Sequence, residues 1–164
     1  MKYSNVVVAG GGVLGSQIAF QAAYCGFNVT IWLRSEGSIG RTQPKIDHLK
    51  QTYIEAIEKM AEDKNAWCAG LADEDTFDKE ECLKKVENAY ANLKLELDMA
   101  KAVADADLVI ESLSEDPKAK IAFYQQMAPL LPEKTVIVTN SSTMVPSAFA
   151  QYTGRPEKYL ALHF

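Results

Sequence analysis

Near the start of the chain an apolar run, Val6-Val7-Val8-Ala9, leads into three consecutive glycines and then Val13-Leu14-Gly15. The glycines at positions 10, 12 and 15 keep the spacing G-x-G-x-x-G between a short strand and a helix that continues through Cys25. Each has a steric reason. Gly10 allows a tight turn off the strand, Gly12 lets the backbone approach a pyrophosphate, and Gly15 lets the helix pack closely on the sheet. The free amides and dipole at the helix N-terminus then face a negative ligand, so Gly10, Gly12, Val13, Leu14 and Gly15 are read as cofactor-binding positions. The context supports this: the helix carries Ile18, Ala19, Ala22 and Ala23, and a second strand, Val29 to Leu33, follows. The competing reading is a glycine turn that only satisfies backbone geometry.

After Leu33, the polar stretch Arg34 to Ser38 reads as a turn. Ile46, Leu49, Tyr53, Ile57 and Met60 then recur at helical steps, the apolar stripe of a helix of about five turns. Leu83, Val86, Tyr90 and Leu93 mark a second helix, with Asp73 to Thr76 as loop and capping material before it. This helical hairpin, roughly 41 to 92, interrupts an otherwise regular alternation. Leu93 to Leu97 then reads as a strand, Asp98 to Ala104 as a short helix and Asp107 to Ser112 as a buried strand. Pro117, with Asp116 as its cap, opens a helix carrying Ile121, Tyr124, Ala128 and Leu131 and ending at Pro132. Thr135 to Thr139 is a strand, Val145 to Gln151 a short helix, and Tyr159 to Leu162 the last strand. The predicted fold is a doubly wound α/β parallel sheet of the Rossmann type, with a helical hairpin inserted after the second strand.

The chain of 164 residues suits one domain, and its net charge of −5 argues against nucleic-acid or anionic-membrane partners. It has no secretory pattern at its start and no long apolar run, so a cytoplasmic protein is expected. Cys25, Cys68 and Cys82 have no metal-ligand spacing, and no metal site is expected. His48 lies off the apolar stripe of its helix and is expected to be solvated.

In parallel sheets ligands lie beyond the carboxyl ends of the strands. Three predicted strand ends carry polar residues there: Glu111, Ser114 and Glu115; Asn140-Ser141-Ser142-Thr143; and His163. A histidine titrates near working pH and can act as a general base, and a nearby serine could hydrogen-bond an oxygen that gains or loses charge. Taken alone, His163 could equally be an ordinary terminal histidine, and Glu111 a packing or hydrogen-bonding residue.

The glycine turn, Glu115-Asp116-Pro117-Lys118-Ala119-Lys120, Asn140-Ser141-Ser142 and Leu162-His163-Phe164 resemble, in order, the nucleotide-binding domain of L-3-hydroxyacyl-CoA dehydrogenases. The interval of 21 between Ser142 and His163 and the hairpin after the second strand are similar too. The resemblance covers essentially the whole chain, although 41 to 92 cannot be matched position by position. It implies that His163 removes the 3-hydroxyl proton as hydride leaves C3 for the nicotinamide. It further implies that Ser142 hydrogen-bonds the same oxygen beside the cofactor, and that Glu115 and Lys120 contact the cofactor near its ribose and nicotinamide end. A capping acid and a solvated lysine are the plain alternative for that pair.

Two features depart from the family. An acid usually ends the second strand, on the ribose 2′-hydroxyl of NAD, but Leu33, Arg34 and Ser35 stand here. Arginine pairs with a 2′-phosphate and serine adds a donor, so NADP(H) is expected over NAD(H), unless Glu36 takes the acid's role. The second departure is that the chain stops at Phe164. The family's helical second domain, which supplies a carboxylate for the histidine and most of a homodimer contact, is expected to be missing, leaving residues 1–164 as the dinucleotide-binding domain. The parent would be an oxidoreductase acting on an acyl-CoA substrate. Alternatives are a dehydrogenase of a small free 3-hydroxy acid and a non-catalytic NAD(P)-sensing module.

Overall fold

A computed structural model describes residues 3–164. Six parallel strands form one sheet in the order β3-β2-β1-β4-β5-β6. The strands are β1 (Asn5–Ala9), β2 (Asn28–Trp32), β3 (Lys94–Glu96), β4 (Leu108–Glu111), β5 (Val136–Thr139) and β6 (Tyr159–Ala161). The central strands are apolar on both faces because helices cover both. Along β1 the side chains alternate: Val6 and Val8 enter a core with Ile18, Phe20, Ile31 and Ile57. Val7 and Ala9 enter the opposite core with Val109, Phe123, Tyr124 and Ile137.

The first core is covered by α1 (Val13–Tyr24), α2 (Glu36–Glu62) and α3 (Lys79–Asn92), the second by α4 (Met99–Val103) and α5 (Pro117–Met127). The caps follow the sequence where an aspartate precedes the helix. Asp116 accepts from the Lys118 amide at 2.9 Å, with Pro117 at the first helical position, and Asp98 accepts from Lys101 at 3.2 Å. The cap of α3 is Asp78, accepting from the Glu81 amide at 3.0 Å, rather than the stretch 73–76.

The helix expected to end at Pro132 stops at Met127, with Ala128–Leu130 as a 3₁₀ turn, and two further elements differ. Glu36 to Ser38 are not a free turn but the first turn of α2, which runs for 27 residues despite Gly37, Gly40 and Pro44. Propensity is overridden by docking: the Thr42 hydroxyl donates to the Gly11 carbonyl at 3.1 Å and is buried there. The expected helix 145–151 is instead two short 3₁₀ turns, Pro146–Ala148 and Ala150–Thr153. Pro146 and Gly154, the latter at φ +68°, bracket too few residues for an α-helix. His48 is exposed, as are Cys25 and Cys68, whereas Cys82 is buried. Among the described residues no helix is long and apolar enough to cross a membrane.

Asp107 ties the start of β1 to β4. Its carboxylate pairs with Lys134 Nζ at 2.5 Å and accepts from the amides of Asn5 and Ser4, each at 2.8 Å. The Lys134 contact, and then the two amides, hold its pKa down at about 2. A depressed carboxylate pKa contributes stability that is complete above its ordinary value of about 3.9 and is lost as the pH falls through the folded value. Urea midpoints measured between pH 5 and 2 should therefore fall steeply below about pH 4, and Asp107→Asn should flatten that acid limb. An unchanged limb would remove Asp107 from the account.

Candidate functional site

The strand order reverses between β1 and β4, and ligands of such sheets bind outside the carboxyl ends at that point. There the chain leaves β1 through Gly10 at φ +116°, a conformation that favours glycine, and a Cβ on Gly10 would collide with the Ser112 carbonyl. A Cβ on Gly15 would collide with the Gly10 carbonyl, so α1 starts hard against the strand end. Gly12 faces open space, with no atom within 4 Å of a built Cβ. No side chain caps α1, so its first amides, with Val13 and Leu14 exposed beside them, are available to an anion. Gly11, which carries no role in the sequence pattern, is fixed by Thr42 and Leu33, which a Cβ there would strike.

These geometries predict opposite outcomes for two glycines. Gly12→Ala should leave thermal stability within about 0.5 kcal/mol of the parent while weakening dinucleotide binding. Gly15→Ala should lower stability by about 1–3 kcal/mol through overpacking. Melting curves and cofactor titrations of both variants check this; a Gly12 variant that binds normally would contradict it.

Beside the glycine turn lies a cavity of about 590 Å³. Leu33, Leu113, Ala122 and Phe123 give it apolar walls, and Arg34, Ser38, Arg41 and Lys45 line its polar side. Its size, its glycine floor and its cationic side fit a nucleotide. Arg34, two residues beyond β2, is among the lining residues. Ser35 is not among the lining residues: it precedes α2, and its hydroxyl meets that of Ser38 at 3.0 Å. Glu36 is exposed in the first turn of α2 and does not line the cavity either.

The other candidate residues lie at the carboxyl edge of β4, β5 and β6. Thr139 pairs in register with Ala161, so Ser142 and His163 follow adjacent strands by three and two residues beyond that pair. Both are exposed, and both are held by their neighbours. Ser141 Oγ and Thr143 Oγ1 each donate to Glu115 Oε2 at 2.6 Å, on either side of Ser142. The Leu162 amide donates to the Thr139 carbonyl at 2.9 Å and the Phe164 amide to Asn140 Oδ1 at 3.0 Å, on either side of His163. Burial opposes ionisation of Glu115, but the two hydroxyls and the Lys120 charge outweigh it and hold its carboxyl below the usual range.

Lys120 is not a solvated lysine, and its Nζ does not reach the surface. Its side chain is 1% exposed, with Nζ 2.7 Å from Glu111 Oε1 and 3.5 Å from Glu115 Oε1. It stands behind the loop, against Glu111 and Glu115. Glu111, fully buried, accepts as well from the Leu113 amide at 2.7 Å, Tyr124 Oη at 3.1 Å and Thr139 Oγ1 at 2.6 Å. Thr139 Oγ1 in turn accepts from the Ser141 amide at 3.2 Å, and the Tyr124 and Tyr159 hydroxyls meet at 3.0 Å. Burial, reinforced by the Glu111 charge, pushes the Tyr124 hydroxyl far above its ordinary pKa and keeps it neutral. From the sequence Glu111 is only a packing or hydrogen-bonding residue; its partners come from the loop after β4, from α5 and from β5.

A 3-2-1-4-5-6 parallel sheet with a glycine turn at its switch point defines a dinucleotide-binding α/β domain. The model of the 3-hydroxyacyl-CoA dehydrogenase NAD-binding domain matches residues 5–164, and the chain belongs to that family. It is 28% identical over 160 residues to the mitochondrial hydroxyacyl-coenzyme A dehydrogenase of Rattus norvegicus, covering 98% of this chain and 46% of that protein. It is also 28% identical over 162 residues to the 3-hydroxybutyryl-CoA dehydrogenase of Clostridioides difficile, covering 98% and 49%. Among solved structures, a diketoreductase studied for dual catalysis of dicarbonyl compounds superposes with a TM-score of 0.81 at 38% identity, covering 99% of this chain and 50% of that one. The 3-hydroxybutyryl-CoA dehydrogenase of Escherichia coli K12 superposes with a TM-score of 0.75 at 28% identity, covering 100% and 30%. The chain thus spans about half the length of the curated relatives it matches.

Proposed function

We propose that this domain serves an oxidoreductase that interconverts an L-3-hydroxyacyl thioester and its 3-oxo form, with NADP(H) preferred over NAD(H). The observation that carries the catalytic part is the pinning of Ser142 and His163 by their flanking residues at the ends of adjacent strands. In this reading His163 holds or releases the proton of the substrate's 3-oxygen, and Ser142 donates a hydrogen bond to the same oxygen. Glu115 fixes the loop around Ser142 and lies near the cofactor's ribose. Lys120 acts behind it, through Glu115. When bound, the nicotinamide supplies the hydride acceptor or donor. Gly10, Gly12, Gly15 and the first amides of α1 hold the pyrophosphate. The preference for NADP(H) is supported by Arg34 on the cavity and by Glu36 lying off it.

A second, helical domain belongs to the proposal. Leu160 and Phe164 are each 53% exposed, and Leu162 and Phe164 line an apolar cavity of about 480 Å³ with Val6, Ile18, Leu108 and Ile110. Such a surface is what a following domain would cover, and with it would come the homodimer contact.

The 38% identity to a diketoreductase favours a second reading, a small dicarbonyl or free 3-hydroxy acid in place of the thioester. The test is cofactor-dependent reduction of acetoacetyl-CoA, acetoacetate and a small diketone by the protein carrying both domains. Turnover of the thioester is the expected result. Turnover of only the small substrates would replace it with the second reading, and turnover of none would favour a non-catalytic sensing module.

A further inference from the structure

Ser38, Arg41 and Lys45 lie at positions i, i+3 and i+7 of α2, hence on one face of that helix, and all three line the cavity beside the glycine turn. Thr42 sets the register. Its hydroxyl donates to the Gly11 carbonyl at 3.1 Å, so the same helical turn that presents Arg41 is bolted to the strand-to-helix turn of β1. Arg34, just beyond β2, lines the same cavity. The side chains are drawn together: an Arg41 guanidinium nitrogen donates to Ser38 Oγ at 3.0 Å, and Lys45 Nζ donates to the Arg41 carbonyl.

Three cations thus converge on one cavity in a chain of net charge −5. The ion pairs among the described residues engage Lys50, Lys85, Lys120 and Lys134, and none involves Arg34, Arg41 or Lys45. Gathering like charges is unfavourable unless an anion sits between them. The nearby Ser38 hydroxyl adds a neutral donor suited to a phosphate oxygen.

We propose that Arg34, Arg41 and Lys45 form a subsite for a phosphate monoester on the ribose of the bound nucleotide, the 2′-phosphate of NADP(H). The inference rests on the NADP(H) reading above and deepens it: Arg41 and Lys45 are specificity-determining residues supplied by the insertion, and Ser38 takes the place first given to Ser35. A coenzyme A ribose carries the same chemistry at its 3′ position, so the source must be separated by experiment.

Calorimetric titration of this chain with 2′,5′-ADP, 3′,5′-ADP and 5′-AMP, and then with NADPH and NADH, provides that separation. The parent chain should bind 2′,5′-ADP at least roughly tenfold more tightly than 5′-AMP. Arg41→Ala and Lys45→Ala should each remove about tenfold to a hundredfold of that affinity, the range for hydrogen bonds to charged groups, with 5′-AMP binding unchanged. Because Arg41 is exposed, melting temperatures should match the parent, and Arg41→Glu should abolish the preference. If 3′,5′-ADP binds more tightly than 2′,5′-ADP, the assignment to the 2′-phosphate is overturned. A preference for NADPH that survives all three variants keeps the cofactor reading and overturns the subsite. A preference for NADH while Arg41→Ala still weakens 2′,5′-ADP overturns the cofactor reading alone.

Discussion

His163→Ala should lower kcat of the protein carrying both domains by about 10²–10⁴-fold, the usual contribution of a positioned general acid or base. Stability should not change, because the imidazole is exposed and its backbone is held by its neighbours, not by the ring. Cofactor affinity of the isolated domain should also be unaffected, since His163 does not line the nucleotide cavity. Ser142→Ala should cost less, about 10–100-fold, as the loss of one hydrogen bond to a charged group. The three measurements together separate chemistry from folding and from binding. A His163 variant that turns over at the parent's rate would remove His163 from the proton transfer and assign that step to another group.

The other large effect lies inside the molecule. Lys120→Ala leaves the Glu111 carboxylate fully buried without its cation, and breaking a buried pair on one side costs about 3–5 kcal/mol. Removing both charges should cost less, because neither is then stranded: Glu111→Gln with Lys120→Met should recover a good part of the loss. Urea unfolding of the two variants beside the parent makes the comparison. A Lys120→Ala loss below about 1 kcal/mol would mean that Glu111 takes up a proton or is reached by water.

What the sequence conveys here, and what it withholds, follows a physical line. The glycine turn is legible because its constraints are local: Gly10 needs its positive φ and Gly15 its missing Cβ within a few residues of each other. The placement of Ser142 and His163 is legible because a parallel sheet brings all its carboxyl ends to one edge. Lys120 is different. In sequence it lies in the first turn of a helix that starts with exposed Pro117, where lysines are normally solvated, and its partner Glu111 stands nine residues earlier in a strand. Only packing discloses the pair. The start of α2 is hidden for the opposite reason: Gly37, Gly40 and Pro44 argue locally against a helix, and the bond from Thr42 to Gly11 that holds it spans 31 residues. With that start missed, the common face of Ser38, Arg41 and Lys45 cannot be seen.

The hub at Glu111 also bears on how the edge of the sheet breathes. The Leu113 amide bonds directly to its carboxylate, the Asn140 amide to its carbonyl, and the Ser141 amide to the threonine it holds. These three bonds tie the turn bearing Ser142 to the central strands, and such amides are expected to exchange more slowly than those of a free surface loop. Ser142 itself sits exposed at the rim, while the bonds that place its turn run back into the core.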